Sequence, residues 1–153
     1  MGAIERKLKE LGLALPAVAA PLAAYVPAKL AGGLIYCSGQ LPVAGGALLH
    51  KGRLGEDVTV EQGYACARQC ALNALAAAAA AAGGLERLTE IVQVRGYVAC
   101  APESEQQPAV INGASELLLK LFGDAGRHAR AAVGVAALPL GAPVEVEVVA
   151  QVG

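Results

Sequence analysis

The sequence predicts an α+β domain in which two helices pack on one face of a mixed β-sheet. Three observations carry this reading. Apolar runs bounded by glycine and proline mark strands near residues 25–41, 91–99 and 130–152. Two longer stretches between them repeat apolar residues with the helical period. The resulting order of hairpin, helix, strand, helix, strand, strand suits one layer of helices on one sheet. A length of 153 residues fits a single domain spanning 1–153 with its own core.

Taken in order, Ile4, Leu8 and Leu11 recur at helical spacing among charged neighbours, so residues 4–13 form a short amphipathic helix that stops before Pro16 and covers a surface. Residues 15–22, with Pro16 and Pro21, make an extended connector. Two strands follow at 25–31 and 34–41, joined by Gly32-Gly33, a strong signal for a tight hairpin. Ser38-Gly39-Gln40 closes the second strand. The glycine either ends it or lets the backbone approach a ligand, and the Ser38 hydroxyl and nearby N–H groups offer hydrogen bonds. The glycine-rich loop at 45–55, with a small strand at 47–50, matches neither GxGxxG nor GxxxxGK(S/T), so no phosphate cradle is expected.

Thr59 and Gln62 form a capping box, and the helix they open runs over 60–82 until Gly83-Gly84. Tyr64, Ala67, Ala71, Leu72 and Leu75 give it an apolar face, and its alanine run implies close packing on the sheet. In the strand at 91–99, Val92, Val94, Gly96 and Val98 alternate with Gln93, Arg95 and Tyr97, whose mixed face should meet solvent or another subunit. Pro108 opens the second helix, with Val110, Ala114, Leu117, Leu118 and Leu121 as its buried stripe and Gly123 as its end. The last two strands, 130–137 and 144–152, flank the turn residues 138–143.

Those last strands hold the charges that stand out. Glu145 and Glu147 are two residues apart and share a face, while Val144, Val146 and Val148 line the other. A charge inside a strand of an apolar chain needs a partner. Arg130 with Glu145 or Glu147 therefore makes either a structural ion pair or a binding site.

Composition narrows the partners. Hydrophobic residues make up 56% of the chain while aromatics supply 3%, so small side chains leave apolar surface to cover, a hint of oligomerisation. A net charge of −1 argues against broad attraction to nucleic acid, which needs a basic face or stripe, and leaves room only for a small local patch. The charged start and the short alanine run offer neither a signal peptide nor a spanning helix, which points to the cytoplasm. Cys37, Cys66, Cys70 and Cys100 form no CxxC pair and read as reduced structural thiols; His50 and His128 lack metal-ligand spacing and read as surface or loop residues.

At this level of detail the chain resembles the Rid family, also called YjgF or L-PSP endoribonuclease-like. The resemblance lies in YVPAKLAGGLIYCSGQLP, in Val110-Ile111-Asn112 entering the second helix, and in ARAAVGVAALPLGAPVEVEVVA, in the family's order and spacing. It implies a chorismate-mutase-like α+β fold and a homotrimer with ligand clefts between neighbouring subunits. The activity it implies is hydrolysis of 2-imino or enamine acids to 2-keto acids and ammonia, as in a 2-iminobutanoate/2-iminopropanoate deaminase, with no metal or organic cofactor. Arg130 then holds the substrate carboxylate, since a planar guanidinium can form two parallel hydrogen bonds where lysine offers a point charge. Glu145 positions or deprotonates the attacking water. Tyr25, Ser38, Gly39 and Asn112 line the same cleft, and Glu147 is structural or interfacial.

Two features depart from the deaminases of that family. Ala132 stands where they carry cysteine or serine, two residues after the arginine, so one polar contact is missing. The N-terminal helix, the 45–55 loop and the ending LPLGAPVEVEV suit a separate subgroup. A non-catalytic protein of the same fold that binds a small carboxylate is the alternative expectation, and an endoribonuclease a more remote one.

Overall fold

Thr59 begins the longest helix of the chain, and the cap is the one its sequence spells. Its Oγ1 accepts from the Gln62 N–H at 3.1 Å while Gln62 Oε1 accepts from the Thr59 N–H at 3.0 Å, which satisfies two of the donors a helix start leaves open. Gly83, with φ of 87°, ends the helix in the left-handed conformation that glycine adopts without penalty. The structure is a computed structural model that describes residues 1–21 and 23–153. Leu22, the last residue of the expected connector, lies outside the described residues.

In chain order the elements are α1 (Ala3–Glu10), β1 (Ala28–Ala31), β2 (Leu34–Cys37), β3 (Val43–Ala44), β4 (Ala47–Leu48), α2 (Val60–Ala82), β5 (Leu88–Ala99), α3 (Gln107–Phe122), β6 (Ala129–Val135) and β7 (Val144–Val152). Among the described residues the main sheet has five strands in the order β1-β2-β7-β5-β6, and β3 with β4 forms a separate small hairpin. β5 and β6 run parallel; the other neighbours are antiparallel. This is the mixed sheet that the order of elements predicts.

α2 and α3 cover one face. Ile35, Val94, Val98, Val144, Val146 and Val148 meet Ala71, Leu75, Val110, Ile111 and Leu118, all at most 1% exposed. Each large apolar side chain buried this way contributes roughly 1.5–3 kcal/mol. Small residues set the spacing between the layers. A Cβ at Gly96 would stand 2.7 Å from Ile111 Cγ2, and one at Gly113 would overlap the Tyr64 carbonyl. α1 buries Ile4 and Leu8, and its first N–H groups, from Ile4 and Glu5, donate to Glu86 Oε1 at 2.8 and 3.1 Å, so a distant carboxylate holds the helix start.

Several boundaries differ from the expected ones for identifiable reasons. β1 starts at Ala28 rather than Tyr25, because Pro27 has no N–H to give a ladder. β2 ends at Cys37, and the chain rejoins the sheet through one bridge, Gln40 with Val146. β5 begins at Leu88 and carries register shifts at Leu88/Glu90 and Ile91/Gln93. The second bulge turns Ile91 inward at 0% exposure and leaves Val92 outward at 38%, so simple alternation fails at that one valine.

The other face of the sheet is uncovered in the single chain. Tyr97 donates to Glu147 Oε1 at 2.6 Å, Arg95 approaches the same oxygen at 3.5 Å, and Tyr36 and Val133 stand exposed beside them. All four cysteines are free and buried, and burial pushes the Cys37 thiol up to about 12 and that of Cys66 to about 11. Among the described residues no helix is long and apolar enough to cross a membrane.

Candidate functional site

Parallel pairing decides where Arg130 points. Its partner across the β5–β6 ladder is Val94, which is fully buried under the helices, so Arg130 also leans to the helix side. There, at the open edge of the sheet, its Nη1 donates to Asn112 Oδ1 at 2.8 Å and to Ser115 Oγ at 3.3 Å. Asn112 does not cap α3, a position held by Gln106; its side chain serves Arg130. Ser115 is buried at 7% exposure and lies 2.9 Å from His128 Nε2, while His128 Nδ1 lies 2.6 Å from the Gly126 carbonyl. His128 thus sits in the loop before β6, as its reading as a surface or loop residue allowed, but half-buried and engaged. Ser115, His128 and Arg130 border an open groove with Leu119 and Arg127.

The remaining expected residues form a second cluster. Ser38 Oγ donates to the Val26 carbonyl at 2.6 Å, and the Ser38 N–H donates to the Pro27 carbonyl at 2.8 Å. Both of its donors thus tie down the segment that carries Tyr25. Gln40 N–H donates to the Val146 carbonyl at 2.8 Å, so Gly39 is held directly over β7. Among the described residues the Gly39 N–H has no hydrogen-bond partner, which leaves it free to meet an oxyanion. A Cβ at Gly39 would lie 2.7 Å from Glu145 Cδ; the glycine is what admits the carboxylate. Half-burial, followed by the charge of Glu147, raises the Glu145 carboxyl above the ordinary range. Tyr25, Gly39 and Leu140 line a partly open pocket of about 80 Å³, with Pro21, Leu41 and Val43 among its other walls.

The two clusters stay apart in one chain. Glu145 lies on the face opposite Val144 and Val146, away from the helices, whereas Arg130 lies on the helix face and two strands distant, a gap of roughly 10 Å across the sheet alone. An Arg130 ion pair with Glu145 or Glu147, open from the sequence, is not formed: Glu147 has Arg95 and Tyr97 instead. Ala132, on the same face as Arg130, packs half-buried against the core. Ser115 went unnoticed in the sequence, where His128 reads only as a surface or loop residue. The available signal was spacing: Ser115 sits three residues after Asn112, on the same side of α3.

The comparisons with known proteins agree with this architecture. Residues 5–152 match the family described as "YjgF/chorismate mutase-like, putative endoribonuclease". Protein TCP17 of Trypanosoma cruzi is 44% identical over 153 residues, covering 98% of this chain and 94% of that protein. A Shewanella oneidensis MR-1 protein with the same endoribonuclease designation superimposes with a TM-score of 0.94 at 38% identity, over 99% of this chain and 100% of its own. The protein Atu1372 of Agrobacterium tumefaciens, a crystal structure of unknown function, gives 0.90 at 43% identity, over 98% and 92%. The fold and these matches define a small α+β protein of the chorismate-mutase-like class, and the chain belongs to the YjgF, or Rid, family.

Proposed function

We propose that the protein hydrolyses 2-imino acids, or their enamine tautomers, to 2-keto acids and ammonia, in a cleft completed by two copies of the chain. The observation that carries this is the separation of Arg130 with Asn112 from Glu145 with Gly39, on opposite faces of one sheet. Each cluster is half of a site: one grips an anion, the other handles water. A neighbouring copy that lays its Glu145 side against this Arg130 side makes them whole, and a homotrimer built on the uncovered sheet face supplies such clefts.

The roles follow from the groups. Arg130 binds the substrate carboxylate, each charged hydrogen bond contributing on the order of 1.5–3 kcal/mol. Glu145, with its carboxyl raised by burial, stays basic enough to take a proton from water, the general-base role. Water adds to the C=N carbon, the nitrogen leaves as ammonia, and a carbonyl replaces it; no electron is gained or lost. Tyr25 and the free Gly39 N–H stand where the substrate would lie against Glu145.

Ammonia release from freshly generated 2-aminoacrylate, wild type against Arg130→Ala, tests the reading. A wild type no faster than buffer rejects hydrolysis. Ala132, which offers the ligand no hydrogen bond, favours a second reading as a carboxylate-binding protein. Thermal stabilisation by a 2-keto acid that vanishes in Arg130→Ala, without turnover, supports that one. The endoribonuclease designation of the relatives is the weaker reading for a chain of net charge −1.

A further inference from the structure

We infer that Ser115 and His128 are positioning residues for Arg130, fixing its guanidinium so that the Nε and Nη2 edge is left to grip a carboxylate side-on. The inference rests on the carboxylate site proposed above. Its basis is a chain of hydrogen bonds whose donors and acceptors, with the imidazole neutral, permit one arrangement. The Gly126 carbonyl can only accept, so His128 Nδ1, 2.6 Å away, carries a proton. In the neutral ring Nε2 is then an acceptor, and Ser115 Oγ at 2.9 Å gives it the hydroxyl proton. Ser115 Oγ keeps only lone pairs, with which it accepts from Arg130 Nη1 at 3.3 Å. A guanidinium has donors alone, so Ser115 Oγ accepts from Arg130, which agrees with that order.

The second Nη1 proton goes to Asn112 Oδ1 at 2.8 Å. Both protons of Nη1 are thereby used, which closes the end-on fork formed by Nη1 and Nη2. Among the described residues Nε and Nη2 have no partner, and together they form the other bidentate edge of the fork. Ser115 is 7% exposed, and loss of its partner leaves its hydroxyl short of a hydrogen bond. His128 therefore acts through Ser115, not on the ligand.

Titration with 2-oxobutanoate tests the assignment. Ser115→Ala and His128→Ala should each weaken binding by about five- to tenfold, and the double variant should bind no more weakly than Ser115→Ala, because the two residues act in series. His128→Gln, whose Oε1 can accept from Ser115, should return to within about twofold of wild type. Long-range 1H–15N spectra of the wild-type protein should show His128 as the Nδ1–H tautomer, a readout that needs no variant. Additive losses, a His128→Gln no better than His128→Ala, or an Nε2–H tautomer overturns the inference. Arg130→Ala separates it from its premise. If that variant still binds 2-oxobutanoate normally, the carboxylate site itself is wrong; if it alone loses binding while the Ser115 and His128 variants match wild type, only the positioning role is wrong.

Discussion

Gly39 faces Glu145 so closely that a Cβ on the glycine would stand 2.7 Å from the Cδ of the carboxylate. The obstacle is the end of a flexible side chain rather than backbone, so the fold can yield where the site cannot. Gly39→Ala should fold with a loss of no more than about 1–2 kcal/mol, measured by urea denaturation, while turnover of 2-aminoacrylate drops more than about tenfold because the displaced carboxylate no longer meets the water.

A contrasting glycine is Gly113, where a Cβ would overlap the Tyr64 carbonyl and stand 2.9 Å from its carbon. No substitution at Tyr64 removes a backbone group. Gly113→Ala must push α2 and α3 apart and should cost about 3 kcal/mol, at the upper end of overpacking, and Tyr64→Ala should not rescue it in a denaturation series.

Glu145 has its carboxyl raised above the ordinary value by burial and then by Glu147. A carboxyl with a raised folded pKa binds its proton more tightly folded than unfolded. Its charge therefore costs stability above the folded pKa, and the cost disappears as pH falls below the ordinary carboxylate range. Glu145→Gln should raise Tm at neutral pH by about 1–2 °C, with the gain fading in acid, a small effect because the group is half-exposed. The same variant should lose hydrolysis. In the wild type the acid limb of the rate profile should sit above the ordinary glutamate value.

The cavity beside Tyr25, Gly39 and Leu140 measures about 80 Å³ and has an apolar lining, about half of the roughly 150 Å³ that admits benzene. Imines from short aliphatic amino acids should therefore turn over, and those carrying an aromatic ring or a second carboxylate at least about tenfold more slowly in kcat/KM. Leu140→Ala should narrow the gap for the aromatic substrate; an unchanged ratio would place the side chain elsewhere.

Local rules made much of the fold legible. The Thr59–Gln62 box and Gly83 marked both ends of α2, and Val144–Val152 came out at its observed limits, because caps, glycine punctuation and period-two patterns act over a few residues. The Glu145 and Glu147 face was equally plain from their spacing. What failed were strand limits and facings that depend on how the ladder pairs. Pro27 shortened β1 through a missing ladder donor, and the bulge at Ile91/Gln93 turned Val92 outward.

The candidate site divides in the same way. Residue types in the sequence, with the family pattern they form, were enough to single out Arg130, Asn112, Tyr25, Ser38, Gly39 and Glu145 and to suggest the chemistry each can perform. Tertiary structure alone decided their grouping. Strand order and parallel register put Arg130 with α3 and away from both glutamates. The fold of the chain between α3 and β6 brought His128 within 2.9 Å of Ser115. The physical reason is that side-chain chemistry is carried by each residue, whereas the face, edge and partner it meets are set by pairing between segments far apart in the chain.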